Sequence, residues 1–232
     1  MCGRYTIIAR AEEIEKRFSV EVPESYAPSY NAAPTQILPV ITNKNPKGVS
    51  FFQWGLIPTW AKDKSMGSKL INARAETITE KPSFKNAFRQ RRCLVIADGF
   101  YEWKRSSKKI KIPHRILLQT KELFAFAGLW EEYQNEKKQL VHTFTIITTI
   151  ANATISGIHE RMPVILEPDS EQEWLSPSIS DSEHLRLLKP CDEQKIEFYT
   201  VSSMVNSVGN NNPKLIIPTP ATDQFGNLML FD

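Results

Sequence analysis

Arg4 to Ile8 alternates apolar and polar residues and favours a strand, whereas Ala11 to Phe18 sets Ile14 and Phe18 four apart on a charged segment and predicts a short helix. Pro23 to Pro34 carries three prolines and reads as a loop. Gln36 to Thr42 and Val49 to Trp54 then read as two strands of a hairpin around the Asn43 to Gly48 turn. Pro58 to Ser68 is irregular. Two short helices are predicted next, Asn72 to Thr79 and Ser83 to Gln90, the second with Ser83 as N-cap and Phe84 and Phe88 on its buried side.

The densest run of strand-like segments follows: Cys93 to Asp98, Phe100 to Trp103, Arg115 to Leu118, Phe124 to Leu129 and Val141 to Thr149, separated by polar turns. Short helices are expected after Asn152, around Ser170 to Leu175 and around Ser182 to Leu188, with a strand running through Leu166 and a late one from Ile196 to Val201. Strands this close together, with no long helix between them, predict an antiparallel sheet that curls or packs on itself. The expected class is α+β, with a mostly antiparallel, barrel-like core and short peripheral helices. No repeat, low-complexity tract or linker interrupts the chain, so residues 1 to 232 read as a single domain.

Composition adds two constraints. The three cysteines, Cys2, Cys93 and Cys191, are widely spaced and contain no C-x-x-C, which argues against a disulfide framework and against a zinc site. No apolar stretch is long enough for a membrane span or a signal sequence, so a soluble cytoplasmic protein is expected. The net charge of +3 conceals an asymmetry: Trp60 to Arg115 holds 15 Lys and Arg against 5 Asp and Glu. A basic middle within an acidic remainder suggests a face suited to a polyanion. The alternative for Lys104, Arg105, Lys108, Lys109 and Lys111 is a solvated turn between strands, and for Lys81 to Arg92 an exposed helix face.

The chain begins Met1-Cys2-Gly3-Arg4. Once Met1 is trimmed, residue 2 carries an α-amine that titrates near pH 8 and a thiol that titrates near 8.5, two nucleophiles on one skeleton. Three further segments are richer in reactive residues than a core requires: Asn72 to Glu76, Gly99 to Lys104 and Ile158 to Pro163. Taken singly, Asn72 could cap a helix, Glu102 could pair with a neighbouring Lys or Arg, and His159 could be a structural loop histidine. Together they supply a nucleophile, an amide, a carboxylate and an imidazole. Arg4, Arg74 and Arg161 each lie two positions after Cys2, Asn72 and His159, which on a strand puts each pair on one face and points to an anionic substrate. His114, His142 and His184 receive no role.

These blocks resemble the SRAP family, the SOS-response-associated peptidases. The resemblance rests on Cys-Gly-Arg-Tyr at 2 to 5, Tyr-Asn-Ala-Ala-Pro at 30 to 34, Trp-Gly-Leu-Ile-Pro-Thr-Trp at 54 to 60, Ile-Asn-Ala-Arg-Ala-Glu-Thr at 71 to 77, Asp-Gly-Phe-Tyr-Glu-Trp at 98 to 103 and Ile-His-Glu-Arg-Met-Pro-Val-Ile-Leu at 158 to 166. It spans nearly the whole chain. It implies capture of abasic sites in single-stranded DNA as a thiazolidine on Cys2, without a cofactor or metal, by a protein expected to be monomeric. It further implies that Asn72 orients the amine and that Glu102 and His159 move protons. Arg4, Arg74, Arg161 and Thr148 would hold phosphates. Trp60 and Trp103 would stack on bases, with a place in the core as the alternative for both. The family name implies removal of whatever precedes Cys2, and protein retaining Met1 is expected not to crosslink. Where some members carry a basic residue two positions before Phe84, this chain has Pro82, so contact with DNA is expected to be weaker there.

The residues leave a rival reading open, an N-terminal-nucleophile amidohydrolase in which the Cys2 thiol attacks an amide and its own amine serves as base. A third, a non-catalytic nucleic-acid binder, accounts for the charge but not for Glu102 and His159.

Overall fold

A computed structural model describes residues 2–107 and 109–229. Twelve strands and five short α-helices alternate irregularly. The strands are β1 (Tyr5–Ile7), β2 (Ser29–Ala32), β3 (Ile37–Thr42), β4 (Asn45–Trp54), β5 (Asn72–Arg74), β6 (Arg92–Ala97), β7 (Gly99–Arg105), β8 (Lys111–Leu118), β9 (Phe124–Gln134), β10 (Leu140–Ile150), β11 (Arg161–Pro163) and β12 (Ile196–Thr200). The helices are α1 (Ala11–Phe18), α2 (Lys85–Gln90), α3 (Ala153–Ser156), α4 (Pro168–Leu175) and α5 (Asp181–Leu187).

Strands β10, β4, β3, β6 and β9 pair in that order, and β9 pairs back onto β10, so five strands close into a barrel. Closure removes the free edges that an open sheet of apolar strands would expose. The second sheet runs β12-β8-β7-β1-β2. Tyr5 on β1 packs its ring on Trp54 of β4 and Phe126 of β9, and Phe100 of β7 meets Phe126 edge-on. One cluster of buried side chains therefore runs through both sheets. The curled, mostly antiparallel α+β class expected from the pattern is what the strands form; the parallel exceptions are β10 with β4 and β10 with β5.

Several local expectations are corrected. Asn72 to Thr79 is not a helix: Asn72–Arg74 is a strand and Ala75–Thr77 a 3-10 turn. The alanines give this stretch helix propensity, but pairing with Ile146 to Thr148 of β10 decides its conformation. The proline-punctuated loop contains β2, which sits at the edge of its sheet where its outer side needs no partner. Ser83 does not cap α2, whose N-cap is Phe84 with no side-chain bond. The 43 to 48 turn is tighter, because β4 already begins at Asn45. The strand expected through Leu166 stops at Pro163, beyond which Ile165 makes an isolated bridge to Phe126.

The basic middle is not one surface. Arg92 is buried, and its guanidinium donates to the carbonyls of Phe88, Arg89, Trp174 and Ser176 at 2.7 to 2.8 Å. A cation placed there satisfies carbonyls that α2 and α4 leave open at their C-terminal ends. Arg115 is buried as well, paired with Asp98 at 3.0 Å. Gly99 belongs to this arrangement, since a Cβ there would lie 2.9 Å from Arg115 Nε. Lys108, part of the expected polar turn, lies outside the described residues, as does Met1.

Candidate active site

The path of β1 brings Cys2 to the site. Tyr5 pairs with Phe100 and Thr6 with Gly99, and the Tyr101 N–H donates to the Arg4 carbonyl at 2.9 Å. Glu102 follows on the same strand β7, near enough for its charge to act on the Cys2 thiol. The Cys2 thiol is wholly buried, and its pKa is pushed up to about 12, first by that burial and second by the charge of Glu102. It is therefore a neutral thiol across the physiological range. Glu102 is itself buried, and its Oε1 accepts from the Trp103 N–H at 3.3 Å.

Asn72 arrives on β5. Its Nδ2 donates to the Cys2 carbonyl at 2.8 Å, a contact across 70 residues of sequence, while its Oδ1 is buried without a partner. The amide thus fixes residue 2 by its backbone and keeps one acceptor unspent. Strand β5 pairs with one side of β10 and β11 with the other: Asn72 lies opposite Ile146, Arg74 opposite Thr148, and Arg161 opposite Ile150. Residues in direct register share a face, so Asn72, Arg74, Thr148 and Arg161 form one group. His159 lies in the turn that leads into β11. Its Nδ1 accepts from the Arg161 N–H at 3.0 Å, so in the neutral ring the proton sits on Nε2.

The three arginines are held differently. Arg74 is exposed and forms no hydrogen bond or ion pair among the described residues. Arg161 is only 10% exposed and forks onto Glu76 at 2.8 and 2.9 Å, while its Nη2 also donates to the Thr148 carbonyl at 2.7 Å. Arg4 is half-buried, donating through Nη1 to Asn31 Oδ1 and to the Val205 carbonyl, both at 2.7 Å, and its desolvation lowers its pKa. The guanidinium lies 6.0 Å from the centre of the Trp103 ring, whose Nε1 donates to Asn206 at 2.8 Å. Trp60 is 53% exposed on the loop before β5. Thr148 is fully buried, with its hydroxyl shared between the Ala73 carbonyl and Arg161.

The arrangement thus links Cys2, Asn72 and Glu102 directly, and ties His159 to the same sheet face through Arg161. Three contributors carry no role in the sequence reading. Asn31 anchors Arg4 and also binds the carbonyls of Ser207 and Asn210 at 3.0 and 2.8 Å. Glu76 holds Arg161. His114, buried on β8, lies directly opposite Glu102, with its Nδ1–H donating to the Ile112 carbonyl at 2.9 Å. Asn31 and Glu76 fall inside conspicuous blocks of the sequence, but their partners are far away along the chain. His114 gave no signal at all.

The family profile described as SOS response associated peptidase (SRAP) matches residues 1–208. Among curated relatives, the abasic site processing protein YoqW of Bacillus subtilis is 48% identical over 221 residues, covering 93% of this chain and 99% of that one. The abasic site processing protein HMCES of Rattus norvegicus is 33% identical over 237 residues, covering 84% and 66%. Among solved structures, a protein from Bacteroides thetaiotaomicron superposes with a TM-score of 0.86 at 29% identity, covering 94% of this chain and all of its own.

Proposed function

The chain belongs to the SRAP family, and from that membership we infer that it processes abasic sites in DNA, engaging single-stranded DNA and capturing the opened sugar covalently through Cys2. The observation that carries this reading is the meeting at residue 2: the Asn72 amide on its carbonyl at 2.8 Å and the Glu102 carboxylate acting on its thiol.

The order of steps follows from the protonation states. Removal of Met1 frees the α-amine, which titrates near pH 8 and is partly unprotonated at neutrality, whereas the thiol, which burial already pushes up to about 12 while Met1 is in place, starts as the buried neutral form. The amine therefore attacks first. Its lone pair forms a C–N bond to the C1′ aldehyde of the ring-opened sugar, and that oxygen leaves as water, giving an imine. Sulfur then bonds to the imine carbon and the thiol proton passes to nitrogen, closing a thiazolidine. Ring closure removes the iminium that would otherwise drive strand β-elimination. The lesion is held, not cut.

Glu102 stands where it can relay the protons of dehydration and cyclisation, and His159 presents Nε2–H as a donor to the departing oxygen. The unspent Oδ1 of Asn72 is an acceptor for the released amine. Arg74 is the guanidinium open to a phosphate. Arg4 faces Trp103 and orients it towards bases, and Thr148 acts from beneath by holding Arg161. Self-processing at the Met1-Cys2 bond would use the same groups.

A denaturing gel with single-stranded DNA bearing one abasic site tests the proposal. Wild type is expected to give a stable, slower-migrating adduct, Cys2→Ala none, and Glu102→Gln and His159→Ala a slower yield. Equal adduct from Cys2→Ala overturns it.

A further inference from the structure

Arg161 and Arg74 share one sheet face, yet only Arg74 is open to solvent. The guanidinium of Arg161 presents its two outer nitrogens to Glu76 Oε1 and Oε2, uses Nη2 again on the carbonyl and hydroxyl of Thr148, and keeps a buried Nε without a partner. A planar fork on two oxygens is the geometry a guanidinium also adopts on a phosphodiester. The carboxylate is the outer member of the pair: the Glu76 side chain is 44% exposed against 10% for Arg161. Glu76 also follows Arg74 by two residues on the turn that ends β5, and its carboxyl is held below the ordinary range first by the hydrogen bonds from Arg161 and then by the charges of Arg161 and Arg74. It thus occupies, from the solvent side, a place flanked by two guanidinium groups.

We propose that Glu76 stands in for a DNA phosphate on Arg161, and that binding of single-stranded DNA exchanges this carboxylate for a phosphodiester shared between Arg161 and Arg74. The inference rests on the DNA-binding reading given above. In the unbound protein the pair keeps Arg161 from lying uncompensated in a mostly buried place. It also keeps β11, and with it the Arg161 N–H that holds His159 Nδ1, in register with β5, which bears Asn72. Because the Glu76 carboxyl is held low, it remains charged at neutral pH and is displaced by a competing anion, not by protonation. Glu76 is then a positioning residue and an affinity filter: a weakly held or singly placed anion does not open the fork, whereas a strand already resting on Arg74 does.

The test is equilibrium binding of undamaged single-stranded DNA to wild type and Glu76→Gln over a range of salt, with capture of an abasic strand measured alongside. Glu76→Gln is expected to bind about fivefold tighter at low salt, the scale of a partly exposed ion pair. Wild type and variant end with the same phosphate on Arg161, so their log-log salt slopes are expected to agree, whereas Arg161→Gln should flatten the slope by about 0.7, as for one lost phosphate contact on a single strand. A merely structural brace would give no gain in affinity when Glu76 is neutralised and no loss of slope when Arg161 is, so equal or weaker binding by Glu76→Gln, or a wild-type slope for Arg161→Gln, overturns the exchange. Should Glu76→Gln fail to fold, the side-chain carboxyl resonance of Glu76 in carbon-13-labelled wild type decides. It is expected to shift when undamaged DNA saturates the protein and to return at high salt; a resonance unmoved by bound DNA overturns the exchange. Wild type that neither binds undamaged strands nor captures abasic ones sinks the functional reading itself, a result distinct from either of these.

Discussion

The two ends of β1 are built for opposite purposes. At the Ile8 end the Asp98 carboxylate accepts from the Thr6 hydroxyl at 2.6 Å, from the Ile8 N–H and from Arg115 at 3.0 Å, and Arg115 reaches on to the Tyr199 hydroxyl at 3.0 Å. A cavity of about 1020 Å³ opens there, lined by Ile8, Asp98, Arg115 and Tyr199. Arg115 and Asp98 in its wall neutralise each other, and Arg17 is likewise paired with Glu171 at 2.8 Å. At the Cys2 end polar groups keep capacity in reserve: Asn72 Oδ1, Arg4 Nε and Arg161 Nε are buried without partners. Volume alone would direct attention to the Ile8 end. Arg115 Nε in the cavity wall is also buried without a partner, so what sets the Cys2 end apart is that its unspent atoms lie around a nucleophile.

Two carboxylates four residues apart, Asp98 and Glu102, give the sharpest contrast. Glu102→Gln is expected to slow capture at saturating DNA by roughly 10² to 10⁴-fold, the usual contribution of a proton-transfer group, with the melting temperature little changed. Asp98→Ala should do the reverse. It leaves Arg115 buried without its counter-charge and is expected to cost about 3 to 5 kcal/mol of stability, read by denaturant unfolding, while the folded fraction reacts at the wild-type rate. If both substitutions impair chemistry alike, the division of labour between the two ends fails.

Smaller effects refine the comparison. Asn72→Ala removes one hydrogen bond to the Cys2 carbonyl, worth about 1 kcal/mol, so single-turnover capture should slow about fivefold, and more if Oδ1 also receives the amine. The pH dependence of capture should follow the amine alone. With Met1 in place burial raises the thiol from 9.0 to about 12, and a thiol that stays buried once the amine is freed adds no thiolate inflection between pH 8 and 9; the rate should rise through about pH 8 and level off. A second rise beginning near 8.5 would mean that the thiol is exposed before it reacts. Smallest of all, Arg74→Gln should flatten the salt dependence of binding by about 0.7 and leave the saturated capture rate nearly unchanged.

The sequence made the strands of the barrel readable because Cys93 to Asp98, Phe124 to Leu129 and Val141 to Thr149 are runs of branched and aromatic residues long enough to be buried on both faces. It made β5 unreadable, because the three residues Asn-Ala-Arg become a strand only by lying against β10. The side chains of the candidate site stood out as reactive residues in unusual company, but their supports did not. Asn31, Glu76 and His114 are ordinary polar residues whose meaning depends on partners 27, 85 or a strand's width away. Charge counting misled in a similar way. Arg92 and Arg115 belong to the basic middle by composition, yet they serve the interior, one closing helix ends and the other pairing with Asp98. Formal charge along a chain does not say which way a guanidinium faces.

The intact mass of the protein after incubation with single-stranded DNA bearing one abasic site tests the central claim most directly. The account predicts a species heavier by the strand less one water, formed only on protein that has lost Met1 and absent from Cys2→Ala. An adduct of that mass on protein still carrying Met1 would contradict it, because no free amine would then stand beside the thiol.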